Sequence, residues 1–150
     1  MKVINIEKGN INSFFSPDFS NPMPILIASG TVPAGFPSPA ADFEENSLDL
    51  NSYLIKHKSA TFYAKVKGDS MKDAGIHDGD LLVVDRSLEA GNRDIALCYI
   101  DGEYTVKRLI FEGEVIFLMP ENEKYEPIRV DKNNELIIWG VVISVVKKFK

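Results

Sequence analysis

After residue 60, apolar and polar residues alternate with a period of two at 61–67 and 103–110, the pattern of half-buried β-strands, and short apolar runs between turn residues continue the series. The two residues Asp101 and Gly102 separate two of these segments, and an Asp-Gly pair between apolar alternations indicates a tight β-hairpin. We therefore predict a mostly β domain of short strands, arranged as two sheets or a partly closed barrel. The predicted strands are residues 61–67, 81–84, 95–100, 103–110, 115–119, 135–139 and 141–146.

Residues 1–39 lack this periodicity and carry five prolines, at positions 22, 24, 33, 37 and 39. We predict an extended N-terminal arm that is not part of the core, followed by a β-rich domain at residues 40–150. A flexible tail is the alternative interpretation. Within residues 43–57 the apolar spacing predicts a short amphipathic helix that begins near Ser47 or Asp49.

Composition limits the function classes. A chain of 150 residues with 45% hydrophobic content can bury one substantial core, so one main domain is expected. Its net charge of −5 argues against a surface that holds DNA by neutralising phosphates, and favours contact with nucleic acid through a partner protein. The single cysteine, Cys98, excludes an internal disulfide, and the apolar run at 25–28 is too short for a membrane span. We expect a soluble, cytoplasmic protein.

The candidate chemistry lies in two segments. Ser70 occupies a Gly-Asp-Ser-Met corner after a predicted strand, and Lys107 lies inside the alternating strand at 103–110. A serine hydroxyl needs a base to become a nucleophile, and a desolvated lysine can be that base. Neutralising a lysine near pH 7 costs about 4 to 5 kcal/mol, which only burial or a nearby cation could impose. We therefore hypothesise a Ser-Lys dyad, although a turn serine and a solvated edge lysine are the ordinary interpretations of each residue alone.

Other residues favour structural roles. Cys98 could pair with His57 or His77 as a nucleophile, but its apolar surroundings indicate a core residue. Four aspartates lack the glycine and terminal glutamate of a calcium loop, so we interpret them as solvated turn residues and predict no metal and no cofactor. Trp139 is interpreted as a core or dimer contact rather than a base-stacking platform. The four aspartates are Asp73, Asp78, Asp80 and Asp85.

The ordered set of motifs resembles the LexA/UmuD-type self-cleaving serine peptidases, and most closely their UmuD-type members. This resemblance implies that Ser70 is the nucleophile, Lys107 the general base, and the backbone amides of Asp69 and Ser70 the oxyanion site. It also implies self-cleavage at the bond between Ala34 and Gly35, within the arm. The motifs are FPSPA at 36–40, SATF at 59–62, GDSM at 68–71, AGIHDGDLL at 74–82, DGEYTVKRL at 101–109, PEN at 120–122 with Tyr125, and WGVV at 139–142.

The resemblance further implies a biological role. Residues 1–35 are too short and too rich in proline for the helix-turn-helix domain of a LexA-like repressor, which favours the UmuD role. That role implies a homodimer whose cleavage is promoted by RecA on single-stranded DNA. The cut form then joins a Y-family DNA polymerase subunit, UmuC-like, for translesion synthesis in the SOS response, without sequence-specific DNA binding of its own.

Two other function classes are open. The chain could be a non-catalytic β-rich module that binds a polymerase while its dyad is vestigial. It could also be an export-linked signal peptidase with the same dyad, but the expected absence of a membrane anchor disfavours this class.

Overall fold

A computed structural model of the chain describes residues 3–5, 10–27 and 46–150. The chain forms two compact units, of which one comprises Met1–Pro17 and His57–Lys150 and the other comprises Asp18–Lys56. The predicted boundary between residues 39 and 40 lies outside the described residues, so that division stays a prediction. No helix in these described ranges is long and apolar enough to cross a membrane.

The larger unit is built on one antiparallel sheet, in the strand order β1-β2-β5-β6-β11-β7-β8-β9-β10, and β3 pairs with β4 in the smaller unit. The mostly β prediction is confirmed. The strands are β1 Val3–Asn5, β2 Ile11–Phe15, β3 Ile25–Ile27, β4 Asn46–Leu48, β5 Thr61–Val66, β6 Leu81–Asp85, β7 Ile95–Ile100, β8 Glu103–Glu112, β9 Val115–Met119, β10 Ile128–Val130 and β11 Leu136–Val146. The α-helix α1 spans Leu50–Leu54, and 3-10 turns span Lys58–Ala60 and Lys72–Ala74.

The hairpin forms as predicted, and a short helix forms where the spacing predicted one, although none of its residues is buried. Asp101 and Gly102 both have positive φ, 47° and 87°, the conformation that a two-residue hairpin between β7 and β8 requires. Helix α1 follows Asp49, whose carboxylate accepts a hydrogen bond from the Ser52 N–H at 3.1 Å and so caps the first turn.

The two strands predicted at 135–139 and 141–146 are a single strand, so that prediction is wrong. Gly140, which separates the two predicted strands, lies inside β11, where the register with β7 shifts between Ile138 and Gly140. A β-bulge absorbs the irregularity, and the strand continues between β6 and β7.

We expect Gly140→Ala to lower the free energy of unfolding by about 1 to 3 kcal/mol. A Cβ at this position would lie 2.6 Å from Val84 Cγ1 and 3.2 Å from the Asp85 carbonyl oxygen, and Val84 is fully buried and stiff. Urea unfolding followed by the fluorescence of Trp139 measures the change. Gly91→Ala is the control, since its Cβ would meet only the Asp94 carboxylate at 3.5 Å; equal stability of both variants would contradict the packing argument.

Buried apolar side chains form two clusters. The prediction that residues 1–39 lie outside the core is wrong for β2, because Ile11 and Phe14 are buried within the first cluster. Phe14 stacks on Trp139 at 5.0 Å between ring centroids and meets Tyr104 edge-on at 5.1 Å. The prolines elsewhere in residues 1–39 favoured an extended arm, so the short strand β2 was not predicted. The first cluster is Ile11, Phe14, Ala64, Val66, Met71, Ile76, Leu82, Val84, Leu97 and Val106; the second is Ala96, Cys98, Ile100, Leu109, Leu118 and Val130.

The interpretation of the four aspartates as solvated turn residues holds for Asp73 and Asp78 and is wrong for Asp80 and Asp85, which are buried. Asp80 accepts a hydrogen bond from the His77 N–H at 2.7 Å and pairs with Lys147. Buried carboxylates of this kind are tolerated because hydrogen bonds satisfy their oxygens. Among the residues that the structure describes, no three His, Cys, Asp or Glu side chains are grouped to hold a metal ion.

Asp85 is the more buried of these two aspartates. Its carboxylate lies 2.6 Å from His57 Nδ1 and accepts hydrogen bonds from the Ser87 hydroxyl at 2.6 Å and the Ser87 N–H at 2.8 Å. Burial alone would raise the pKa of Asp85, but the hydrogen bonds from Ser87 and His57 outweigh it and lower the pKa. The carboxylate therefore ties the turn after β6 to the turn before β5.

Candidate active site

Ser70 lies in the turn that follows β5. Gly68 adopts a positive φ of 83° there, and its N–H donates to the Asp78 carboxylate at 2.7 Å. Glycine tolerates this left-handed conformation, which makes the sharp bend that the sequence predicted at Gly-Asp-Ser-Met. Ser70 is only 6% exposed, yet its side chain borders an open cleft.

Lys107 lies on β8 and is also only 6% exposed, so the interpretation as a solvated edge lysine does not hold. Its Nζ atom is 3.1 Å from Ser70 Oγ, 2.8 Å from Thr105 Oγ1 and 3.0 Å from the Val106 carbonyl oxygen. Thr105 can reach Nζ because residues two apart in a strand point to the same face. The fold thus brings together the serine and the lysine that the sequence singled out.

Burial lowers the pKa of Lys107 from 10.5 to about 8, and the nearby Cys98 opposes this shift only in part. A neutral amine has two N–H donors and one lone pair. Thr105 Oγ1 and the Val106 carbonyl oxygen can accept the two donors, which leaves the lone pair for the hydroxyl proton of Ser70. The arrangement can therefore remove a proton from the serine near neutral pH.

The segment after β9, in which Asn122 is buried, holds the turn that contains Ser70. Asn122 Nδ2 donates to the Asp69 carbonyl oxygen at 2.9 Å, and the Glu121 N–H donates to the Ser70 carbonyl oxygen at 2.8 Å. Since a peptide group is planar and trans, fixing the Asp69 carbonyl also fixes the opposite direction of the Ser70 N–H. Tyr125 adds a hydrogen bond from its hydroxyl to the Asp69 carboxylate at 2.7 Å, which raises the pKa of Tyr125.

The serine and the lysine open into a cleft of about 440 Å³, which we call the active-site cleft. Its charged groups are Lys67, Asp69 and Lys107, so both signs of charge are present. The lining residues are Asn10, Lys67, Gly68, Asp69, Ser70, Thr105, Lys107 and Tyr125.

Other sequence candidates lie elsewhere. Ala34 and Gly35 lie outside the described residues, so the assignment of the scissile bond stays a prediction. Cys98 is fully buried and burial raises its pKa to about 12, which leaves it without the thiolate that a nucleophile needs.

Sequence reasoning gave no role to three residues of this region: Asn10, Thr105 and Asn122. Thr105 could have been found from its place two residues before Lys107 on an alternating strand. Asn122 belongs to one of the motifs noted in the sequence, but its contact with Asp69 spans 53 residues. Asn10 carries no local signal, because it precedes a strand that the periodicity did not reveal.

Comparison with known proteins finds similarity over the segment that contains Ser70 and Lys107. The model of the family described as Peptidase S24-like matches residues 25–143. Protein MucA of Escherichia coli is 47% identical over 112 residues, which are 74% of this chain and 76% of MucA. Protein SamA of Salmonella typhimurium is 47% identical over 116 residues, 77% of this chain and 80% of SamA. The LexA repressor of Ectopseudomonas mendocina is 38% identical over 135 residues, 89% of this chain and 66% of the repressor.

Proposed function

Because the chain belongs to the Peptidase S24-like family of self-cleaving serine peptidases, as a UmuD-type member, we propose that Ser70 and Lys107 cut its own bond between Ala34 and Gly35. The observation that carries this proposal is the 3.1 Å contact between Lys107 Nζ and Ser70 Oγ inside a largely buried site.

The reaction is an acyl transfer followed by hydrolysis. Ser70 Oγ attacks the carbonyl carbon of Ala34 while its proton passes to the neutral Lys107 Nζ. Backbone N–H groups at Asp69 and Ser70 stabilise the oxyanion that develops. Lys107 then returns the proton to the nitrogen of Gly35, the C–N bond breaks, and Ala34 remains as an ester on Ser70. Water, deprotonated by Lys107, attacks that ester; the bond to Ser70 Oγ breaks, Lys107 returns the proton to Oγ, and residues 1–34 are released.

A modest dyad suffices for this reaction because the scissile bond is tethered to the site. Well-oriented intramolecular reactions reach effective molarities on the order of 10⁵ M or more, so no bimolecular encounter is needed. The small side chain of Ala34 and the absence of a Cβ at Gly35 leave room for the attacking oxygen.

Self-cleavage is expected to accelerate with pH, which tests the proposal. With a pKa of about 8, Lys107 is neutral in about a tenth of the molecules at pH 7 and about nine tenths at pH 9. The rate should therefore rise roughly tenfold between these values and level off above pH 9. Intact mass against time from pH 6 to 10 gives both the rate and the product, and loss of residues 1–34 identifies the bond.

Trp139 fluorescence, recorded at each pH, controls for loss of the native fold. A rate that is flat from pH 7 to 9 would count against Lys107 as the base, whereas a product cut at another bond would count against Ala34-Gly35.

We further propose that this cleavage serves SOS mutagenesis. In this role the chain is a cytoplasmic homodimer, RecA on single-stranded DNA promotes the cut, and the shortened form joins a UmuC-like Y-family DNA polymerase subunit for translesion synthesis. UmuD-type membership supports the proposal. The same mass assay at pH 7, with and without RecA filaments, tests the RecA step, and equal rates would contradict it.

A further inference from the structure

Asn10 reaches the active-site cleft from the start of β2, ahead of residues 25–143 that match the family. Its Nδ2 atom is 3.2 Å from Ser70 Oγ and 3.4 Å from the Val106 carbonyl oxygen, while its Oδ1 accepts the Val106 N–H at 2.7 Å. Its main chain is held as well, since its N–H donates to the Tyr104 carbonyl oxygen at 3.2 Å and its carbonyl oxygen accepts the Lys67 N–H at 2.9 Å.

These contacts determine which way the amide of Asn10 faces. The Val106 N–H can only donate, so the side-chain atom that meets it at 2.7 Å must be the carbonyl oxygen. The NH₂ group is therefore the end that meets Ser70 Oγ, and an amide NH₂ can only donate. The hydroxyl proton of Ser70 cannot point at Asn10, and the other polar side-chain atom that contacts Oγ in the described part of the chain is Lys107 Nζ.

We propose that Asn10 is a further catalytic residue, whose amide donates to Ser70 Oγ and thereby directs the hydroxyl proton to Lys107. The same hydrogen bond stabilises the negative charge that grows on Oγ as the proton leaves. The role in cleavage rests on the proposed function above, whereas the contact itself does not.

The strand that follows Asn10 keeps it in place. β2 pairs with β5, with Ile11 opposite Val66, and the side chains of Ile11 and Phe14 are buried in the first core cluster. Asn10 also precedes the proposed scissile bond at residue 34, so the cut would sever its covalent link to Ser70. The chain would thus lose a tethered component of the site once it had acted.

Two substitutions test the proposal. Asn10→Asp has nearly the same shape and still accepts the Val106 N–H, but it replaces the donor to Ser70 with a carboxylate oxygen. This carboxylate should raise the pKa of Lys107 by about one unit or more and slow self-cleavage. Asn10→Ala removes the donor to Ser70 together with the acceptor of the Val106 N–H, and should slow self-cleavage at pH 8 by about tenfold to a hundredfold.

The matched control is Asn21→Asp, because the exposed Asn21 also donates to a serine hydroxyl, that of Ser20, at 3.2 Å. Cleavage rates come from intact mass. The pKa of Lys107 comes from its ¹³Cε resonance in full-length chains that carry Gly35→Val to block the cut. The control should leave both quantities at the values of the parent chain.

The results distinguish the proposal about Asn10 from its alternatives. An unmoved pKa of Lys107 in Asn10→Asp, or a parental cleavage rate in Asn10→Ala, overturns the proposal. If Asn10→Ala loses the native Trp139 fluorescence, the shape-conserving Asn10→Asp decides alone. If Asn10→Asp raises the pKa but even the unaltered chain is never cut, the proposed function fails while the place of Asn10 beside the dyad stands.

Discussion

Replacing Ser70 with alanine is expected to abolish self-cleavage, by a factor on the order of 10³ or more, while the fold stays intact. The substitution removes the only atom that is proposed to attack Ala34 and leaves Lys107 with its contacts to Thr105 and Val106. Loss of the hydrogen bonds to Oγ should change the free energy of unfolding by only about 1 kcal/mol. Intact mass after incubation at pH 9 and urea unfolding measure the two effects.

Ser59→Ala is the matched control, because Ser59 is an exposed serine in the same unit. It should be cut at the unaltered rate. If Ser70→Ala is cut at the same bond and rate as the unaltered chain, a contaminating protease is responsible. The interpretation as a non-catalytic accessory module would then replace the enzyme.

Lys107→Met is expected to reduce self-cleavage by a similar factor and, at the same time, to change how stability depends on pH. The pKa shift from 10.5 to about 8 means that burying the charged lysine costs about 3 kcal/mol of folding free energy. Below pH 8 both the folded and the unfolded lysine are protonated, so this cost is constant there. Between pH 8 and 10.5 the unfolded lysine binds the proton and the folded one does not, so stability rises with pH.

The methionine variant lacks this rise. We compare its free energy of unfolding with that of the chain that has Lys107. The difference in favour of the methionine variant should be largest at pH 7 and should fall by up to about 3 kcal/mol by pH 10. Urea unfolding at both pH values, in chains that carry Gly35→Val to prevent the cut, measures the difference. Lys65→Met is the control, because Lys65 is exposed on β5 of the same sheet; it should be cut at the unaltered rate.

Two results would refute these expectations separately. Cleavage of Lys107→Met at the unaltered rate would exclude the lysine as the base. A stability difference that does not vary between pH 7 and 10 would show that the lysine is not desolvated in the native chain.

The amino-acid sequence by itself determined most of the local structure. Alternation with a period of two located β5 and β8, short apolar runs between turn residues located β6, β7 and β9, and the Asp-Gly pair located the hairpin between β7 and β8. These features depend on residues next to one another in the chain, whose side chains must share one buried face or supply one turn conformation. The motifs around Ser70 and Lys107 also sufficed to single out the pair whose contact the structure shows.

Only the tertiary structure decided how deeply the site is buried and what surrounds it. Periodicity did not decide which face of β8 is buried. The packing of the sheet buries the face that carries Lys107. The hydrogen bonds that Asn10 makes to Ser70 and Val106 span 60 and 96 residues of sequence. Asp85 is likewise satisfied by His57, 28 residues away. Such contacts depend on which strands become neighbours. A local pattern of apolar and polar residues indicates which side chains can share a buried face, but it does not indicate which distant residues they contact.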